Sequence, residues 1–145
     1  MAISFSKGWK LILDKLESVI ESEFKNTLPV YKGVEIPKGM NQALQLIPDS
    51  DVLSEYNINS ETREYTINVK FVFAEANVNE KALDHILRQV SRLGGLIHDN
   101  ITMTLSDGTT AFNCRFESTD LNTEADSNAY VVDWIWKGQY LGNTD

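Results

Sequence analysis

Residues 63–73 read REYTINVKFVF, and their apolar side chains fall at every second position. Successive side chains of a β-strand point to opposite faces of its sheet, so this period of two predicts a strand with one buried face. Threonine, asparagine and lysine fill positions between the apolar ones, as is typical of a face in contact with water. Five residues form the predicted buried face: Tyr65, Ile67, Val69, Phe71 and Phe73.

Two amphipathic helices are predicted on either side of this strand in the sequence. Apolar residues at steps of three and four form one stripe in each, the spacing of a helix that packs on one face. Pro29 ends the first helix because the residue before a proline is disfavoured in the helical region, and Gly94-Gly95 is expected to weaken or end the second. The stripes are Trp9, Ile12, Leu13, Leu16, Val19, Ile20 and Phe24, then Ala82, Ile86, Val90, Leu93 and Ile97.

The remaining segments predict five further strands. After an irregular connection at Leu28–Met40, a short strand at Gln42–Ile47 closes at Pro48, and Val52–Asn59 forms a hairpin with the strand quoted above. The second helix is followed by strands around residues 101–105, 112–116 and 129–141, with a tight turn at Asp107-Gly108 and a polar loop at Thr119–Asn128.

The predicted order is therefore α-β-β-β-α-β-β-β. Adjacent strands without intervening helices are typical of the α+β class, so we expect an antiparallel sheet of about six strands flanked by two amphipathic helices. The length of 145 residues fits a single domain spanning residues 1–145.

Composition argues against several classes of protein. The chain carries 21 acidic and 13 basic residues, a net charge of −8, and an acidic domain repels the phosphate backbone of nucleic acids. A single cysteine excludes an intramolecular disulfide, and no stretch approaches the roughly 20 apolar residues of a membrane span. We expect a protein that folds in a reducing cytoplasm.

The sequence contains few residues in patterns typical of catalysis or of metal and cofactor binding. It contains no phosphate-binding glycine loop, no dinucleotide fingerprint, no zinc-protease motif and no nucleophile elbow. His85 and His98 lack neighbouring cysteines, Cys114 lies between two phenylalanines on a predicted inward face, and Asp49-Ser50-Asp51 resembles a turn more than a cation loop. We therefore predict no enzymatic activity, no metal and no cofactor.

Two charged segments are candidate interfaces with another copy or another partner. The first is a basic strip on one face of the second helix, at steps of four, three and four: Lys81, His85, Arg88 and Arg92. The second lies in the loop Thr119–Asn128 and consists of three carboxylates: Asp120, Glu124 and Asp126. For the strip, the alternative is a solvated face with Asp84 pairing Arg88. For the loop, the alternative is a mobile hairpin tip, whereas as an interface it would be a segment that orders only against a partner.

The last strand has apolar residues on both faces. Tyr130, Val132, Trp134, Trp136 and Tyr140 point one way, and the opposite face includes Val131, Ile135 and Leu141. A strand that is apolar on both sides is usually covered on both, so either a second sheet layer or another subunit is expected on the face opposite the helices.

The order of elements resembles the tail terminator proteins of long-tailed bacteriophages. The resemblance extends from about residue 5 to 141, and the segments that carry it are SKGWKLILDKLESVIESEF, REYTINVKFVF, NEKALDHILRQVSRLGGLIHDN, SDGT and AYVVDWIWKGQYLG. The resemblance implies a homo-oligomeric ring, commonly of six copies, at the head-proximal end of the virion tail. Such a ring stops polymerisation of the tail tube protein, joins a neck or head-completion protein, and lets DNA pass without specific binding.

Three alternatives remain at this point: another neck, head-completion or tube-like tail protein, a monomeric assembly chaperone, and a small enzyme. A tube-like subunit would polymerise into open cylinders, whereas a terminator stops as a ring. A monomeric chaperone would elute near 16.4 kDa even when concentrated.

Overall fold

A computed structural model describes residues 5–25, 28–33, 42–56, 60–74, 80–106, 108–124 and 129–143. The elements, in chain order, are α1 (Phe5–Phe24), β1 (Val30–Lys32), β2 (Gln42–Tyr56), β3 (Ser60–Ala74), α2 (Glu80–Asp99), β4 (Met103–Thr104), β5 (Thr110–Glu124) and β6 (Ala129–Asn143). The α+β class and the order α-β-β-β-α-β-β-β are confirmed.

The six strands form one sheet in the order β1-β2-β3-β6-β5-β4, curved into a half-barrel. Strand β3 is central, because it pairs antiparallel with β2 on one side and with β6 on the other along its whole length. The sheet is mixed rather than wholly antiparallel, since β1 runs parallel to β2, with Val30 opposite Leu44. Parallel pairing needs a connection longer than a two-residue hairpin, and residues 33–41 connect β1 to β2.

The prediction that Pro48 closes a strand was wrong. Strand β2 continues from Gln42 to Tyr56, so the predicted strands at Gln42–Ile47 and from Val52 are one element with bulges after Pro48 and Leu53. The three-residue strand β1 pairs only as far as Leu46, so no described strand pairs with Pro48 on this side of β2. Proline is tolerated at edges and bulges because no ladder partner there requires its missing N–H.

Two predicted loops contain strand. The connection Leu28–Met40 includes β1, while residues 34–40 lie outside the described part of the chain. The loop Thr119–Asn128 is largely strand, because β5 reaches Glu124 and pairs with β6 to Ala129; residues 125–128 lie outside the described part. Polar side chains misled the prediction, since a strand with water on both faces has no alternating pattern.

The core lies between the two helices and one face of the sheet. It includes the predicted strand residues Tyr65, Ile67, Val69 and Phe71 and the helical residues Ile12, Leu16, Ile20, Ile86 and Leu93. From β6 it takes Val132, Trp134, Trp136 and Tyr140, as predicted. Helix α2 does not end at Gly94-Gly95 but continues to Asp99, because the packing of Leu93 and Ile97 outweighs the poor helix propensity of glycine.

Candidate interaction surfaces

The side chains of the basic strip of α2 differ in their exposure and in the contacts that they make. Arg88 is exposed, whereas His85 is half-buried, with its Nε2 atom 3.3 Å from Oε1 of Gln42 and its ring 4.9 Å from that of Phe73. The side chain of Lys81 lies outside the described part of the structure. No ion pair between Asp84 and Arg88 is present among the described residues.

Arg92 of this strip is bound within the chain. Its guanidinium forms an ion pair with Glu23 at 3.1 Å and donates a hydrogen bond to the main-chain oxygen of Glu23 at 2.6 Å. The guanidinium thus caps the C-terminal end of α1, where carbonyl groups without a helical partner favour a cation. Whether the strip as a whole docks a partner stays a prediction; Arg88 and Arg92 are both exposed, and Arg92 is also bound to Glu23.

The predicted acidic segment lies on the β5–β6 hairpin. Asp120 is exposed on β5, directly opposite Asp133 of β6 in the sheet register. The side chain of Glu124 and the whole of Asp126 lie outside the described residues, so the three carboxylates cannot be placed together. Their role as an interface stays a prediction.

The face of β6 opposite the helices leaves large apolar side chains in water. Ile135 is 38% exposed and Leu141 is 47% exposed. The charged side chains of this face link neighbouring strands, since Glu64 of β3 approaches Arg115 of β5 at 3.3 Å and Lys137 of β6 at 3.9 Å. This face therefore combines an ordered charge network with exposed aliphatic positions.

The sequence predicted the hairpin of β2 and β3 but not the exposure of its apolar side chains. We call residues 48–56 of β2 and 60–66 of β3 the β2–β3 arm. Val52, Leu53 and Tyr56 are 62%, 45% and 69% exposed, although Val52 and Leu53 point to opposite faces. Apolar side chains are therefore exposed on both faces of this part of β2. The sequence signal was present, because residues 52–56 have no polar face that would suit water.

The base of this arm is fixed to α1. The indole N–H of Trp9 donates to Oδ2 of Asp51 at 3.1 Å, and Arg63 binds the other carboxylate oxygen at 2.8 Å. Beside it, α1, β1 and the bulge of β2 enclose a groove of about 690 Å³. Its charged lining includes Asp14, Asp49 and Asp51 with Lys10 and Lys32. The hydrogen bond from Lys32 to Asp14, 2.5 Å long, raises the pKa of Lys32.

A second groove of about 500 Å³ lies between α2 and β5, and we call it the α2–β5 groove. Its apolar walls include Val90, Ile97, Phe116 and Trp134, and its polar lining includes His98, Arg115 and Thr119. Strand β5 bulges here: Asn113 adopts a left-handed φ of 55°, and the N–H of Cys114 bonds to the carbonyl of Ile101 at 2.8 Å. Pairing with β4 covers only Thr110 and Ala111 of the outer edge of β5.

The described residues offer little for catalysis. They contain no group of three or more His, Cys, Asp or Glu side chains placed to share a metal ion. Cys114 is buried, and burial raises the pKa of its thiol to about 12, so it is not a thiolate nucleophile at neutral pH. Neither described helix is long and apolar enough to cross a membrane.

Comparison with known proteins gives structural matches only. One matching chain is from the virion of a native gene transfer agent particle. It superimposes with a TM-score of 0.61 at 9% sequence identity, over 92% of this chain and 93% of its own. A second solved chain superimposes with a TM-score of 0.57 at 14% identity, over 92% of this chain and 95% of its own.

These matches establish the fold across nearly the whole length of each chain. No protein-family model matches the sequence, and no curated protein matches it. Identities of 9% and 14% leave the fold as the shared property.

Proposed function

We propose that this protein is a structural component of a virion, which closes as a ring on the head-proximal end of a phage tail tube. In this role it stops polymerisation of the tube and offers a surface to the neck or head-completion protein. The observation that carries the proposal is the fold shared over 92% of the chain with a chain from a gene transfer agent virion. The layout of the sequence elements, which resembles tail terminators, supports the same role.

Surface properties support assembly rather than catalysis. The protein exposes large apolar side chains at the β2–β3 arm and on the open face of β6, as expected of surfaces that other subunits cover. Each of six copies would add a net charge of −8, which lowers the affinity of the ring for the phosphates of passing DNA. The proposed role is non-enzymatic.

The decisive experiment mixes purified protein with tail tubes from the same source and images the tube ends by electron microscopy. Density confined to one tip is the expected result. Decoration along the whole tube, or no binding, would contradict the capping role. Open cylinders formed by the protein alone would identify it as a tube-like subunit instead.

A further inference from the structure

We propose that the outer edge of β2, next to α1, binds an extended segment of a partner protein in which two apolar residues lie between basic ones. The segment adds a strand to the sheet, on the line that β1 leaves at Lys32. The inference goes beyond the proposed ring, because it names a docking site for a chain of different sequence.

The main chain of β2 points alternately to its two neighbours in the sheet. The N–H of Leu44 donates to the carbonyl of Pro29, and the carbonyl of Leu46 accepts from the N–H of Gly33, both at 2.8 Å. These two leucines therefore point their main-chain groups away from β3. Opposite residues of an antiparallel pair exchange both main-chain hydrogen bonds or neither, so the β3 residues opposite the two leucines do not bond to β2.

The same alternation gives the direction of the main chain beyond β1. The β3 residues opposite the two leucines have odd numbers, and β3 keeps its alternation because it pairs with β6 without a shift of register. Asp51 and Leu53 also lie opposite odd-numbered residues of β3, namely Tyr65 and Arg63. The N–H and C=O groups of Asp51 and Leu53 therefore point to the outer edge, where no described strand pairs with β2 beyond Leu46.

The groove beside α1 continues from the end of β1 along this edge. It is lined by Lys32, the last residue of β1, and by residues 48–51 of β2. Its apolar lining consists of Trp9 and Leu13 of α1 together with Pro48. A strand added to β2 here lies over the groove and turns every second side chain towards α1. The edge supplies main-chain hydrogen bonds and the groove accepts an apolar side chain, which are the two requirements of strand addition.

Two of the three bases near this edge are already paired with carboxylates. Lys32 approaches two carboxylates of α1, and Arg63 approaches one of β2 and one of β3. The four carboxylates are Asp14, Glu17, Asp51 and Glu61. Each of these two bases therefore faces two acids and leaves an excess of negative charge.

Along the edge itself, acids lie on either side of an apolar pair. Asp49 comes first, Val52 and Leu53 follow, and Glu55 is last. Asp49 and Glu55 are exposed and form no ion pair with any described residue, and Lys10 of the groove is the third base. With the paired groups included, this surface holds six carboxylates and three bases. Opposite charges and apolar pairs stabilise neighbouring strands, so the complementary segment has two apolar residues between bases.

A second copy of the chain suits this edge less well. Its own β2 edge carries the same acids, which would oppose each other. The outer edge of β5, which pairs with β4 only at Thr110 and Ala111, carries three acids and no base over residues 116–124. Like charges directly opposite each other destabilise a sheet, so a partner of different sequence is the better occupant.

Hydrogen exchange of single amides, followed by NMR, tests the edge. In the free protein, the N–H groups of Asp51 and Leu53 should exchange faster than those of Ser50 and Val52, which point to β3. The probe is a short synthetic peptide with two valines between lysines and blocked ends. At saturating peptide we expect exchange at Asp51 and Leu53 to slow by about tenfold or more. Unchanged exchange at both positions, or no binding of the peptide, would overturn the proposal.

Matched peptides separate strand pairing from charge. Methylation of both valine nitrogens removes one donor from each edge of the peptide, and glutamate in place of lysine reverses its charge. We expect each change to weaken binding by about tenfold or more in calorimetry. Equal affinity for the methylated peptide would overturn strand addition, and equal affinity for the acidic peptide would overturn the basic character of the partner.

Charge reversals in the protein locate the peptide. The double variant Asp49→Lys with Glu55→Lys should bind the basic peptide about tenfold less tightly or weaker. Asp99→Lys with Asp120→Lys is the control, because it makes the same change in net charge at exposed positions elsewhere and should alter the affinity by less than about twofold. Equal effects of the two double variants, with intact melting curves, would overturn the site.

A second copy at this edge would give a different result. Protection of Asp51 and Leu53 that rises with the concentration of the protein alone would show pairing between copies and would overturn the proposal. Imaging of tube ends tests the capping role separately, so failure of the peptide to bind leaves that role intact.

Discussion

The guanidinium carbon of Arg92 on α2 lies 4.5 Å from the centre of the Phe24 ring at the end of α1. The same side chain binds the carboxylate and the main-chain oxygen of Glu23, so it joins the two helices that cover the sheet. A residue that the sequence placed in a docking strip therefore contributes to the fold.

We expect Arg92→Ala to lower the free energy of unfolding by about 1 kcal/mol, because it removes a cation–π contact and an ion pair that are both partly exposed. Arg88→Ala is the matched control on the same face, and its effect should stay within about 0.5 kcal/mol. Urea unfolding of both variants measures the difference. Equal losses would show that Arg92 has no special role between the helices.

The carboxylate of Asp51 is predicted to hold the β2–β3 arm against α1. Its side chain is only 6% exposed and is bound by both Trp9 and Arg63, so Asp51→Ala should cost about 2 kcal/mol of stability. Trp9→Phe keeps an aromatic ring against Tyr65 but removes the N–H donor. A double-mutant cycle between these two positions should give a coupling of about 1 kcal/mol, and strictly additive losses would contradict the hydrogen bond.

Gly138 of β6 should not tolerate a side chain. A Cβ atom there would lie 2.8 Å from Cζ2 of the buried Trp136 ring and 3.1 Å from Sγ of Cys114. We expect Gly138→Ala to destabilise the protein by about 1–3 kcal/mol through overpacking. Gly95→Ala is the control, because it meets open space in a helix and should stabilise the protein by about 1 kcal/mol. Thermal unfolding of the two variants should shift in opposite directions.

The free energy of unfolding should fall in alkaline solution, because two buried side chains, Cys114 and Tyr65, lose their protons there. Burial raises the pKa of Cys114 from 9.0 to about 12 and, with a further contribution from Asp51, that of Tyr65 from 10.0 to about 12. Both groups are neutral when protonated, so the folded state holds these protons more tightly than the unfolded state. Their contribution is complete below pH 9 and is lost as the pH rises towards 12.

Each group can contribute a slope of at most about 1.4 kcal/mol per pH unit in that range. Urea unfolding midpoints measured from pH 8 upwards should therefore decline, and Cys114→Ala should remove the part that begins near pH 9. An unchanged pH profile in that variant would mean that the thiol titrates normally in the folded protein.

The elements that the sequence predicted well are those with a strong local period. Strand β3 buries one face, which imposes the alternation at residues 65–73, and the alternation therefore predicted the strand. Helix α1 also buries one face, which imposes the stripe from Trp9 to Phe24. The sequence failed at Pro48 and at Thr119, where strand pairing to a neighbour outweighs weak local signals.

The same distinction between local pattern and distant contact applies to the interaction surfaces. The sequence by itself determined two amphipathic helices, the strands with strong alternation and an acidic chain with a single cysteine, because periodicity and charge are properties of neighbouring residues. Only the tertiary structure decided that Arg92 binds α1, that Val52 and Leu53 are exposed, and that Gly94 lines an open groove. Those facts depend on which distant segments meet, and that is settled when the whole chain buries its apolar surface at once.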